Sequence, residues 1–217
     1  ENGYKPVLIE RGDSVENRAK AVDNYWKKGK LDLESNIQFG EGGAGTFSDG
    51  KLTTRINDSR CEKVLAEFEK SGIKREILYK AKPHVGTDNL RGVIVNIRQR
   101  IISNGGEIRF RTKLKSLKID NDKLKGVVLE NGETIPAQIV VLAIGHSSRD
   151  TFNALFDMGV RFEQKPFSVG VRIEHLQSLI DKAQFGNMGG HPKLGVAEYQ
   201  LFHKIKERTV YSFCMCP

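Results

Sequence analysis

The sequence predicts an α/β fold, and three observations carry that expectation. Two apolar runs of strand length, PVLIE at residues 6–10 and IVVLAIG at residues 139–145, read as buried parallel strands. Four stretches place apolar residues at helical spacing between cap-like residues and glycines. From Glu107 the apolar period changes from 3.6 to 2, which marks a strand-rich segment between helices.

The elements follow in order. Pro6–Glu10 is the first strand, and ENGY before it resembles a helix tail with its glycine turn. Asp13 or Ser14 caps a helix over 15–27 with Val15, Ala19, Val22 and Trp26 on one face and Gly29 as its stop. Ser59 and Glu62 have capping-box spacing for a helix over 60–71, whose face is Cys61, Val64, Leu65 and Phe68. A helix over 88–103 carries Val93, Ile94, Ile97 and Ile101 and ends at Asn104-Gly105-Gly106. Strands then run from Ile108 through Ile119, over LKGVVLE, and into Val140–Ile144. The Asp120-Asn121-Asp122 turn and the Asn131-Gly132 hairpin separate them. One mixed sheet containing Pro6–Glu10, the Ile108 strand and Val140–Ile144 is expected, with the antiparallel meander packed near it. A helix over 149–158, a strand in KPFSVGVRIEH and a short helix in HLQSLIDKAQFG complete the chain, with a boundary near residue 160.

Composition narrows the class. The 217 residues are 38% hydrophobic and 29% charged, enough for one large domain or one domain and part of another. No apolar run approaches the roughly 18–20 residues that span a bilayer. The opening ENGYKPVLIE has neither a basic flank nor a long apolar core, so a cytoplasmic location without membrane association is expected. Three cysteines make no disulfide framework, and the CxC spacing of Cys214 and Cys216, with His203 out of ligand spacing, predicts no metal site. The net charge of +8 is spread along the chain without an aromatic-rich basic cluster, so nucleic acid is not the expected partner.

Three features carry chemistry. Glu10 ends an apolar strand, where dinucleotide-binding folds place an acid on the adenosine ribose. Gly145 ends another, and His146, Ser147 and Ser148 follow at the carboxyl end, where ligands of open α/β sheets bind. Between them NIQFGEGGAGTFSDGKL puts Gly40, Gly42, Gly43, Gly45 and Gly50 within eleven positions. Such a loop permits close backbone approach and can cradle an anion. It is not a Walker loop, because Leu52 follows Lys51. Asp49, Lys51 and His146 are catalytic candidates by position only, so the catalytic residues are unassigned.

The ordered segments PVLIERG, NIQFGEGGAGTFSDGKLTTR, HVGTDNLRGVI, VVLAIGHSSRDT, FSVGVRIEH and YSFCMCP resemble bacterial FAD-dependent dehydrogenases of the NAD(FAD)-utilising type, within the glutathione-reductase-like FAD superfamily. The resemblance implies a partial Rossmann-like FAD/NAD(P)-binding domain over 1–160 that lacks the first strand and GxGxxG turn. An α+β substrate or cap domain would begin at 161–217. It implies FAD as cofactor of the parent oxidoreductase, NAD(P)H as electron donor and a small-molecule substrate. The implied cofactor residues are Glu10 and Arg11, Gly42, Gly43, Ala44, Gly45, Thr46 and Ser48, and Gly145 and His146. Cys214, Met215 and Cys216 match a further family motif. Two alternatives stay open: a flavin-dependent RNA-modifying protein and a non-catalytic nucleotide-binding module. In the superfamily's sheet order the first strand lies between those ending at Glu10 and Gly145. This internal fragment is therefore expected to be inactive and to carry no FAD by itself. It is expected to close the gap by direct pairing of the flanking strands or by self-association through their edges.

Overall fold

A computed structural model describes residues 3–47, 58–79 and 87–212, with the backbone alone described at 87 and 88. The chain is mixed α/β and divides into two compact units, Glu1–Phe162 and Glu163–Pro217.

In the first unit, β1 (Val7–Ile9) leads into α1 (Val15–Lys28). After the glycine loop come α2 (Arg60–Lys70) and α3 (Thr87–Ser103). Next are β2 (Glu107–Arg109), β3 (Leu114–Asp120), β4 (Lys123–Leu129), β5 (Thr134–Pro136) and α4 (Arg149–Asp157). The second unit has α5 (Gln177–Phe185) and a hairpin of β6 (Phe202–Ile205) and β7 (Arg208–Tyr211).

The helices form where the apolar stripes place them, with corrections in detail. On α1 the buried residues are Val15, Arg18 and Val22, while Trp26 is exposed. The stripe therefore passes through a cation that the sequence had placed outside it. Gly29 ends α1 in the left-handed conformation, its N–H bonded to Tyr25 O. Ser59 makes no side-chain cap bond; Asp58 Oδ1 accepts the Arg60 N–H instead, at 2.9 Å. Leu65 and Phe68 of α2 and Ile94 and Ile97 of α3 pack on a core of Ile73, Ile77, Leu90 and Val93.

The described strands form three small sheets, not one mixed sheet. β1 pairs with β2 in parallel, β3-β4-β5 is an antiparallel meander, and β6 pairs with β7. The extended run expected from Ile108 to Ile119 breaks at Arg111, whose φ is +51°. Residues 107–109 thus serve β1, and 114–120 begin a separate sheet. β1 itself is not buried: Val7 and Leu8 are both exposed.

The expected strand Val140–Ile144 is in no ladder, and Val141 is 85% exposed. Nor does it pair directly with β1, whose sole strand partner among the described residues is β2. An apolar run becomes a strand only when a neighbour supplies an edge for its N–H and C=O groups. No described segment does so here. The same holds for KPFSVGVRIEH, where Phe167, Val169, Val171 and Ile173 alternate with polar residues or glycine and are all exposed. A doubly wound Rossmann-like sheet is therefore not what the described residues form. No described helix is long and apolar enough to cross a membrane.

Candidate functional site

The site lies in the first unit, where the end of β1 meets the glycine loop. Glu10 continues the parallel ladder, its N–H donating to Arg109 O at 2.9 Å. Its half-buried carboxylate turns back, and Oε1 accepts the Gly12 N–H at 2.7 Å. Oε2 has no partner among the described residues. Gly12 sits directly against the loop. A Cβ there would lie 2.6 Å from Gly40 Cα and 2.8 Å from Glu34 O. Two bonds hold this approach: the Glu41 N–H donates to Asp13 O at 3.0 Å, and the Asp13 N–H to Ser35 Oγ at 3.1 Å.

The loop is built from inside by Arg18. This side chain is 0% exposed. Its Nε donates to Asn36 O, one terminal nitrogen to Ile37 O, and the other to Glu41 O and Gly43 O, each at 2.7 Å. The last nitrogen also donates to Thr46 Oγ1 at 3.1 Å and, more distantly, to Gly40 O at 3.4 Å. Phe47 places its ring centroid 4.9 Å from the guanidinium carbon. No described carboxylate hydrogen-bonds Arg18. Burial pulls its pKa down to about 10, partly offset by the fields of Glu10 and Glu41. Glu41 also ends the loop's isolation from α1: its carboxylate accepts the Val15 N–H at 2.7 Å and pairs with Arg98 at 2.8 Å. Burial raises the Glu41 pKa all the same, outweighing the Val15 N–H and Arg98, with the fields of Glu16 and Glu10 adding to the rise.

These contacts divide the implied cofactor residues. At Gly40 a Cβ would meet Arg18 Cδ at 2.6 Å, and at Gly42 it would meet Thr46 Oγ1 at 2.3 Å. Both glycines serve packing. At Gly43 and Gly45 a Cβ would meet nothing within 4 Å among the described residues, so none of these covers the outer side of the loop there. Ala44 and Gly45 lie exposed in a short 3-10 turn, Ala44–Phe47. Thr46 is buried, its hydroxyl held by Arg18 and donating to Glu41 O at 3.3 Å. Ser48, Asp49 and Lys51, and the Cys214–Cys216 motif, lie outside the described residues.

Arg11 is committed to carboxylates. It forks onto both Glu34 oxygens and, at 2.8 and 2.7 Å, onto both oxygens of Asp150. The second pairing ties the end of β1 to the first turn of α4. The Gly145–Ser148 segment leads into that turn. There Gly145 has φ +73°, His146 is exposed, and Ser148 Oγ donates to Ile144 O at 2.6 Å. Beside it Leu142, Ile144, Gly145, Phe152, Leu155 and Phe162 line an apolar cavity of about 300 Å³. Sequence reading missed Arg18, Glu34, Glu41 and Asp150. Arg18 carried one usable signal, a cation falling on the apolar stripe of a helix.

Burial raises the Asp150 pKa, but Lys113, the Thr151 N–H and Arg11 outweigh it and bring the carboxyl down to about 2. A carboxylate with a lowered folded pKa contributes stability above its unfolded value, about 4, and loses it as pH falls through about 2. Asp150→Asn is therefore expected to be less stable than wild type above pH ~4. The difference should be at most about 1 kcal/mol, because the pair is part-exposed, and should vanish near pH ~2. Urea midpoints across that range check it.

Residues 166–217 match a family model described as FAD-dependent protein, C-terminal domain-like. The chain is also 53% identical over 217 residues to a protein of Clostridium beijerinckii that carries only the name "Uncharacterized protein". The match takes in 99% of this chain and 40% of that relative, so the chain spans well under half the relative's length. Over residues 166–217 the chain is thus similar to FAD-dependent proteins. That similarity does not extend to NAD(P)H as electron donor.

Proposed function

We propose that this chain forms the adenine-nucleotide side of the FAD site in a longer oxidoreductase. The observation that carries the reading is the packing of the end of β1 on the glycine loop, with Gly12 against Gly40 and Asp13 bonded to Glu41. It places an acid-ended strand beside a loop whose outer side is open at Gly43 and Gly45. The match of residues 166–217 to an FAD-dependent family names the cofactor class.

The residues present fit such a group at defined points. Glu10 Oε2 would accept from a ribose hydroxyl. The backbone at Gly43–Gly45 would lie along the pyrophosphate, since no described side chain stands in the way. Thr46 and Arg11 would support the site through the loop and the Asp150 bridge, because their polar atoms are already engaged. Bound FAD would supply two-electron redox chemistry to the complete enzyme. Arg11, Arg18 and Arg98 are held by carboxylates or backbone carbonyls, and Arg91 lies over the Phe47 ring, which favours a compact cofactor over a nucleic-acid track. A Rossmann-like sheet would then be completed in the longer protein by a strand covering the apolar run 139–144, whose exposure supports the need for one.

Glu10→Ala tests the assignment. In the complete protein it is expected to weaken FAD binding by roughly tenfold, as for a lost charge-assisted hydrogen bond, and to cost about 1 kcal/mol of stability because the Gly12 N–H loses its acceptor. Unchanged FAD affinity in a folded variant would remove Glu10 from the site.

A further inference from the structure

We propose that Arg18 is the positioning residue that turns the glycine loop's N–H groups toward the cofactor phosphates. The inference rests on the FAD reading and deepens it.

The argument is one of peptide polarity. The described chain has no cis peptide. In a trans peptide the C=O of one residue and the N–H of the next point to opposite sides. Arg18 collects the carbonyls of Glu41 and Gly43 on the inner side of the loop, each at 2.7 Å. The N–H groups of Gly42 and Ala44 are thereby directed outward. Both residues are exposed, and neither N–H has an acceptor among the described residues. The open positions Gly43 and Gly45 lie between and beside them.

Four strong hydrogen bonds donated by one side chain to backbone carbonyls also fix the span from Asn36 to Gly43, which has no other regular structure. No described carboxylate hydrogen-bonds the buried guanidinium, and the fields of Glu10 and Glu41 offset its charge only in part. Its field adds to that of the outward N–H groups and favours an anion on the loop's outer face. A lysine cannot substitute. Its ammonium offers three donors from one point, whereas Arg18 distributes five around a fixed plane.

The test uses the complete protein with Arg18→Lys and Arg18→Ala, read by FAD titration and by amide hydrogen exchange over residues 36–47. Arg18→Lys is expected to raise the Kd for FAD at least about tenfold and to speed exchange at 36–47 by a similar factor, with exchange in the β3–β5 meander unchanged. Millimolar guanidinium is expected to restore FAD binding to Arg18→Ala and not to Arg18→Lys, where the pocket is occupied. A purely structural role would instead speed exchange at 36–47 in Arg18→Lys while leaving the Kd for FAD unchanged, and that result would overturn the proposal. Wild-type FAD affinity in Arg18→Lys with slow loop exchange would overturn the proposal. If wild type bound no FAD, the flavin reading would fail. Loop exchange in Arg18→Lys would then decide alone whether Arg18 orders the loop, and unaltered exchange would overturn that too.

Discussion

Gly12→Ala is expected to destabilise the first unit by about 3 kcal/mol or more. The new Cβ would lie 2.6 Å from Gly40 Cα and 2.8 Å from both Gly40 N and Glu34 O. All three are backbone atoms, so no side chain can swing aside. The end of β1 and the glycine loop would have to part, and the Glu41–Asp13 and Asp13–Ser35 hydrogen bonds would stretch with them. Overpacking costs about 1–3 kcal/mol and each lost bond about 1 kcal/mol more. Gly45→Ala is the matched control, because its Cβ meets nothing within 4 Å. It is expected to stay within about 1 kcal/mol of wild type. Urea midpoints of the two variants give the comparison, and equal midpoints would mean that strand and loop are not packed as described.

Arg18→Met is expected to cost about 3–5 kcal/mol. Two effects oppose each other. Removing a buried cation relieves its desolvation, which already pulls the Arg18 pKa down to about 10. Methionine, however, keeps much of the volume and donates nothing. The carbonyls of Asn36, Ile37, Glu41 and Gly43 then lose their guanidinium donor together. Glu41 O and Gly43 O keep Thr46 as a donor, but Asn36 O and Ile37 O are left without one among the described residues, and each such acceptor costs about 1–3 kcal/mol, so the loss outweighs the relief. The prediction fails if Arg18→Met unfolds at the same denaturant concentration as wild type.

The helices were legible because each carries its own information: a stripe at 3.6 spacing and a glycine stop, as at Gly29 and Gly105. The meander was legible for the same reason, through period-2 strands and the Asn131-Gly132 turn. Strands that need a distant neighbour were legible only in part: Pro6–Glu10 does pair with the strand around Ile108, as expected. Val140–Ile144 has a strand's composition, yet composition cannot provide the edge that makes it one. The β6–β7 hairpin was missed because Lys206-Glu207 is not a standard glycine turn, although Lys206 takes φ +53°.

The site was legible in part. Its glycine clustering stood out, but the clustering combines two causes. Gly40 and Gly42 make room for Arg18, Thr46 and Ile94, while Gly43 and Gly45 leave open space. Sequence spacing cannot separate those causes, since both require the same residue. Nor could it reveal that Arg11 would be consumed by Glu34 and Asp150, partners 23 and 139 positions away.

The flavin content of the complete protein tests the central claim most directly. Purified under native conditions, it is expected to show the visible absorbance of oxidised flavin and to release about one FAD per chain on denaturation. A colourless protein that takes up no FAD on dialysis against excess cofactor would contradict the account.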